Sequence, residues 1–137
     1  MKSYVLDACA VIAFILDEEG ADKVENLLSL SSRGKCALYL NKINLLEIYY
    51  NFKREYDPDT LERAYSKILS LPINIISDLG DDVLFEAGRL KVRYSISLAD
   101  SIALAEAKIR NASIATSDHH EFDVIEKSEN IKFFWIR

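Results

Sequence analysis

The sequence predicts a three-layer α/β sandwich, and three observations predict it. Short apolar runs recur along the chain, stretches of helical period lie between them, and residues that start helices stand at the junctions. Runs that are apolar on successive positions suit strands buried on both faces, as in a parallel sheet covered by helices. Alternation of strand and helix then implies right-handed crossovers packed on the sheet.

In chain order, Tyr4-Val5-Leu6 is the first strand, and helical patterns follow over Ala8 to Leu16 and Ala21 to Leu30. Cys36-Ala37-Leu38-Tyr39-Leu40 is the second strand, succeeded by helices over Ile43 to Arg54 and Pro58 to Leu69. Pro58 suits a first helical turn, with Asp57 before it as cap. Ile73-Asn74-Ile75-Ile76 is the third strand, and helices over Leu79 to Tyr94 and Leu98 to Arg110 are expected to be capped by Asp78 and Ser97. Ser113-Ile114-Ala115-Thr116 and Lys132-Phe133-Phe134-Trp135 are the last two strands, and His119 and His120 between them read as a surface loop.

A length of 137 residues is enough for one sizeable core and too little for two ordinary domains, so residues 1–137 are read as a single domain. Half the residues are hydrophobic, and four Gly and two Pro are too few for a disordered or low-complexity chain. The net charge of −5 argues against a protein that grips nucleic acid through a general basic field. It leaves open carboxylates that bind a metal, which in turn binds phosphate. Cys9 and Cys36 lack the spacing of a zinc site and read as buried free thiols of a reducing cytoplasm. The apolar run Ala8 to Leu16 is too short to span a bilayer, and Asp17-Glu18-Glu19 stands where a leader would need small residues. A cytoplasmic protein with no membrane partner is expected.

In open sheets of this kind ligands bind beyond the carboxyl ends of the strands. Asp7 directly follows the first strand and Asp118 follows the fourth by two residues, so both are expected at that edge. Alone, Asp7 is equally well a helix cap for Ala8 to Leu16, and Asp118 a turn residue. Glu47 lies in a helix whose other residues are mostly apolar, on the face of Ile43 and Tyr50, with no Lys or Arg three or four residues away. A carboxylate so placed costs several kcal/mol unless a cation compensates it. Asp100 is the lone charge in an alanine-rich segment, and its plainer reading is a capping box with Ser97. Four acids converging on one edge would repel one another and raise their own pKa values without a counter-charge. Oxygen-only ligands select a hard ion, Mg²⁺ or Mn²⁺, over Zn²⁺.

These residues resemble the pattern of the PIN-domain family. The segments that carry the resemblance are Val5-Leu6-Asp7-Ala8, Asn44-Leu45-Leu46-Glu47-Ile48-Tyr49, Ser97 to Ala105 around Asp100, and Ala115-Thr116-Ser117-Asp118 followed by Phe122-Asp123. The resemblance implies a parallel sheet of about five strands and an acidic pocket for one or two Mg²⁺ or Mn²⁺ ions, held by Asp7, Glu47, Asp100 and Asp118. Thr116 and Ser117 fit hydroxyl positions that support the last of these. Asp123 has two readings, a turn residue or a supporting ligand. Cys9 stands where many members carry Ser or Asn, which weakens a supporting hydrogen bond. Small members of the family resemble the toxin half of a VapBC-type toxin-antitoxin pair: an endoribonuclease, homodimeric, silenced by an antitoxin.

The chemistry implied is metal-assisted hydrolysis of an RNA phosphodiester, leaving a 5′-phosphate and a 3′-hydroxyl. Lys53, Arg54, Arg89, Lys91 and Arg93 are candidate guides for RNA, with a solvated helical face as the plainer reading of Arg89 and Arg93. Tyr49, Tyr50 and Phe52 suggest an apolar surface for an antitoxin segment or a second protomer. Two other classes are weighed. A non-catalytic interaction module would keep the fold without the chemistry. A receiver or aspartate-nucleophile phosphatase would need further acids at the first strand end, where only Asp7 is found.

Overall fold

The computed structural model describes residues 1–137. Its centre is β1 (Lys2–Leu6), where Tyr4, Val5 and Leu6 are all buried. The chain continues through α1 (Ala8–Ile15), α2 (Ala21–Ser32), β2 (Cys36–Asn41), α3 (Lys42–Glu55), α4 (Pro58–Ser70) and β3 (Asn74–Ile76). It ends with α5 (Asp81–Arg93), α6 (Leu98–Ile109), β4 (Ser113–Thr116), α7 (His119–Ser128) and β5 (Lys132–Trp135). All strand pairs are parallel and the sheet order is β3-β2-β1-β4-β5.

This order follows from crossover handedness. From β1 to β3 the chain steps one way across the sheet, so right-handed connections put α1 to α4 on one face; from β3 to β5 it steps back, which puts α5 to α7 on the other. The two cores agree. Tyr4, Leu6, Leu38 and Leu40 pack with α1 to α4, while Val5 and Ile114 pack with α5 to α7. The winding reverses between β1 and β4, and a crevice opens beyond their carboxyl ends.

Most elements fall where the sequence places them, and the differences have physical causes. The helix expected from Leu79 under an Asp78 cap begins at Asp81, with Gly80 in the cap position and Asp82 Oδ1 accepting from the Val83 N–H at 2.8 Å. His119 and His120 open α7 rather than a loop: only Phe122 and Ile125 of that helix are buried, too few to show a period, and Asp118 starts it. Phe52 is 4% exposed and belongs to the core, whereas Tyr49 and Tyr50 are exposed with Ile43 and Leu46. Gly20, at φ +96°, precedes α2 where a Cβ would meet the Ile136 carbonyl oxygen at 2.7 Å. No helix is long and apolar enough to cross a membrane.

Candidate metal centre

The pairing of β1 with β4 decides the site. Leu6 lies opposite Ala115, and the Asp7 N–H extends the ladder to the Ala115 carbonyl at 3.3 Å, so the next lateral pair is Asp7 and Thr116. Side chains alternate along a strand. Leu6 and Ala115 face α1 to α4, so Asp7 and Thr116 face the layer that holds α6 and Asp100. The Thr116 hydroxyl donates to Asp7 Oδ2 at 2.5 Å and accepts from the Asp118 N–H at 3.0 Å. One buried threonine therefore ties both strand-end acids together. Asp7 Oδ1 accepts from the Ala10 N–H at 2.9 Å and caps α1, so the capping role and the site role coincide. Asp118 Oδ1 likewise accepts from the Glu121 N–H at 3.1 Å and caps α7.

Glu47 and Asp100 arrive from the helical layers. Asn44, one turn before Glu47, is fully buried and donates from Nδ2 to the Ala99 carbonyl at 3.1 Å, pinning α3 to the first turn of α6. That bond sets Glu47 beside Asp100. The Asn44 Oδ1 has no hydrogen-bond partner, which leaves a bare oxygen inside the protein. Ser97 caps α6 by accepting from the Asp100 N–H at 3.1 Å.

Burial pushes the Asp7 carboxyl up to about 7, against the lowering pull of the Thr116 and Ala10 bonds, and the charges of Asp100 and Asp118 raise it further. Burial likewise raises Asp100 to about 6, with Glu47, Asp118 and Glu121 adding to the rise. Glu47 is raised by burial and then by Asp118. The Cys9 thiol, half-buried, is pushed up to about 12 by burial and then by all four acids, so it sits within reach of each. None of the four is in a salt bridge with Lys, Arg or His.

As the side chains stand, no three His, Cys, Asp or Glu groups are drawn together tightly enough to grip an ion. The chemistry of the set nevertheless fits a hard divalent cation: the donors are oxygens, they lack cationic partners, and burial makes their uncompensated charge costly.

Other candidates are placed differently. Ser117 is half-buried and its hydroxyl bonds none of the acids. Asp123 is exposed, and its Oδ1 lies 2.8 Å from His119 Nδ1 rather than among the acids. Glu121, which raises Asp100, was not singled out from the sequence; its signal is the Asp-x-x-Glu spacing with Asp118. Arg89 is bound to Glu86 and Glu129, Arg93 lies 3.7 Å from Glu129, and Lys91 donates to the Ile96 carbonyl, so these three serve the fold. Arg54 hydrogen-bonds Asn51 and lies over Tyr50.

An open parallel sheet covered by helices on both faces, with acids beyond the carboxyl ends of β1 and β4, defines an α/β/α sandwich. The PIN domain family model matches residues 4–127, and the chain belongs to that family. No curated protein matches the sequence. The fold is shared with solved structures at low identity. VapBC2 from Rickettsia felis bound to a DNA fragment from its promoter has TM-score 0.78 and 20% identity, covering 97% of this chain and 98% of that one. DNA-bound VapBC from Salmonella typhimurium has TM-score 0.75 and 17% identity over 100% of both chains. VapBC-1 from nontypeable Haemophilus influenzae has TM-score 0.71 and 18% identity over 98% of each.

Proposed function

We propose that this chain is a divalent-metal-dependent endoribonuclease, the toxin component of a VapBC-type toxin-antitoxin pair. The reading rests on four acids, Asp7 and Asp118 after neighbouring strands and Glu47 and Asp100 on α3 and α6, none of which has a cationic partner. Asp7, Glu47, Asp100 and Asp118 would hold Mg²⁺ or Mn²⁺. Such an ion, when bound, activates water and stabilises charge on the leaving oxygen of a phosphodiester.

The chain's own residues prepare that chemistry. Thr116 orients Asp7 and steadies the turn that carries Asp118, and Asn44 fixes the spacing of Glu47 from Asp100. The carboxyls of Asp7 and Asp100 hold protons up to about pH 7 and about pH 6, and both must release them to become ligands. Leu98, 60% exposed beside Asp100, and Leu46, 53% exposed on the helix of Glu47, flank the acids with apolar surface.

An antitoxin partner is supported by family membership and by the VapBC complexes that share the fold. The exposed Ile43, Leu46, Tyr49 and Tyr50 of α3 give such a partner, or a second protomer in a homodimer, an apolar surface to cover. A cytoplasmic location and one domain over residues 1–137 belong to the same reading.

The deciding experiment is RNA cleavage by wild type and Asp7→Asn in Mg²⁺ or Mn²⁺, each with and without EDTA. Cleavage is expected only from the metal-loaded wild type. Equal cleavage by the variant or the chelated protein refutes the metal reading, and no cleavage of any RNA by wild type favours a non-catalytic interaction module.

A further inference from the structure

We propose that His119 is a stacking platform for an unpaired RNA base beside the acidic hollow, an inference that rests on the ribonuclease reading above. The imidazole lies flat on the indole of Trp135, with centroids 3.8 Å apart and planes 12° apart. Trp135 in turn runs nearly parallel to Phe133, at 5.3 Å and 16°. Phe133 meets the buried Phe122 edge-on at 5.9 Å, which roots the row of rings in the core.

Both edges of the imidazole are held. Nδ1 lies 2.8 Å from Asp123 Oδ1, and Nε2 lies 2.8 Å from a backbone oxygen of Arg137. The indole is held as well, its Nε1 donating to Glu126 Oε2 at 3.1 Å. The His119 side chain is still 49% exposed. With one face under Trp135 and both nitrogens engaged, the exposed surface is the outer face of the ring. His120, its neighbour, is 93% exposed and has no ring partner, so the arrangement is particular to His119.

Placement supplies the ligand. His119 directly follows Asp118 in the chain and opens α7. Single-stranded RNA is recognised largely by bases stacking on aromatic side chains, and a ring already fixed in place loses little freedom on binding. The chain offers no general basic field to hold RNA. Its net charge is −5, and Arg89, Lys91 and Arg93 are tied within the fold. A flat, rigid ring one residue from Asp118 offers a contact that needs no such field.

Trp135 is the only tryptophan, so its emission reports on the platform without any substitution. The test titrates wild type, His119→Ala and His119→Phe with a short single-stranded RNA and with the same ribose-phosphate chain lacking bases, and measures KM and kcat for RNA cleavage in Mg²⁺. RNA, but not the baseless chain, is expected to change Trp135 emission in wild type. His119→Ala should raise KM about tenfold with the loss falling on KM rather than kcat. His119→Phe, which keeps a ring and loses both nitrogen contacts, should stay within about threefold of wild type. The platform is refuted if wild-type emission ignores the bases, if His119→Ala binds as wild type does, or if His119→Phe is as poor as His119→Ala, which would assign the effect to the hydrogen bonds. Wild type that cleaves RNA while these arms fail removes the platform alone; wild type that neither cleaves nor binds RNA removes the ribonuclease reading and the platform together.

Discussion

Asp7→Asn is expected to stabilise the metal-free protein at neutral pH even as it removes metal binding. The Asp7 carboxyl is 2% exposed and its pKa rises from 3.8 to about 7. The shift of about 3 units, at about 1.36 kcal/mol per unit, corresponds to about 4 kcal/mol between the protonated and ionised forms. Because the native state keeps a proton that the unfolded chain gives up between those two values, stability falls as pH rises through that window and levels off above about pH 7. Asparagine cannot ionise, and its Oδ1 can still accept from the Ala10 N–H.

The assay is urea denaturation of both proteins in EDTA between about pH 4 and about pH 8, repeated in Mg²⁺. Wild type should lose up to about 4 kcal/mol across the range while the variant loses much less. The residual slope of the variant belongs to Asp100, whose carboxyl is raised to about 6. Excess Mg²⁺ should restore wild type, by about 2.7 kcal/mol at a hundred times Kd, and leave the variant unchanged. Parallel pH profiles for the two proteins in EDTA would show that the Asp7 charge is compensated in the native state, and the electrostatic reasoning would fail.

Thr116→Val leaves Asp7 Oδ2 and the Asp118 N–H without their shared partner, so it should cost about 1 to 3 kcal/mol and weaken metal binding about 10- to 100-fold, with Thr116→Ser restoring both by calorimetric titration. Phe52→Ala should cost about 3 to 5 kcal/mol in denaturant melts, whereas Tyr50→Ala, at an exposed position on the same helix, should stay within about 0.5 kcal/mol. Arg89→Ala strips Glu129, whose side chain is 5% exposed, of its short ion pair and should lower stability by about 1 to 3 kcal/mol while cleavage in Mg²⁺ keeps the wild-type rate; a cleavage defect without lost stability would return Arg89 to the RNA-binding surface.

The sheet was legible because its strands announce themselves: Tyr4-Val5-Leu6 and Ile114-Ala115 are apolar on consecutive positions, as suits strands covered on both faces. Their shared edge then located Asp7 and Asp118. Helix α7 was not legible, since one face with two buried residues carries almost no period, and its signal lay in Asp118 and Glu121 as a cap and its first-turn partner. One of the two partners of Arg89 was hidden for a different reason. Glu129 lies 40 residues further along the chain, and no local pattern reports a long-range ion pair. Asn44 carried the same oddity as Glu47, a polar residue in an apolar helix, yet its role depends on meeting the Ala99 carbonyl of another element.

These long-range ties explain how the fold tolerates a set of acids that repel one another. The carboxylates come from separate places in the fold, Asp7 after β1, Glu47 on α3, Asp100 on α6 and Asp118 after β4, so no single helix or strand bears the whole repulsion. The elements are then locked by neutral contacts, the Thr116 hydroxyl between Asp7 and the Asp118 backbone and the Asn44 amide between α3 and α6. Because those locks carry no charge, they set the spacing of the acids without quenching the field between them, which salt bridges would do. The unmet cost remains in the apo protein as raised carboxyl pKa values at Asp7, Asp100 and Glu47. Binding of a divalent cation, release of protons and gain of stability are therefore one linked equilibrium, and measuring any two of them determines the third.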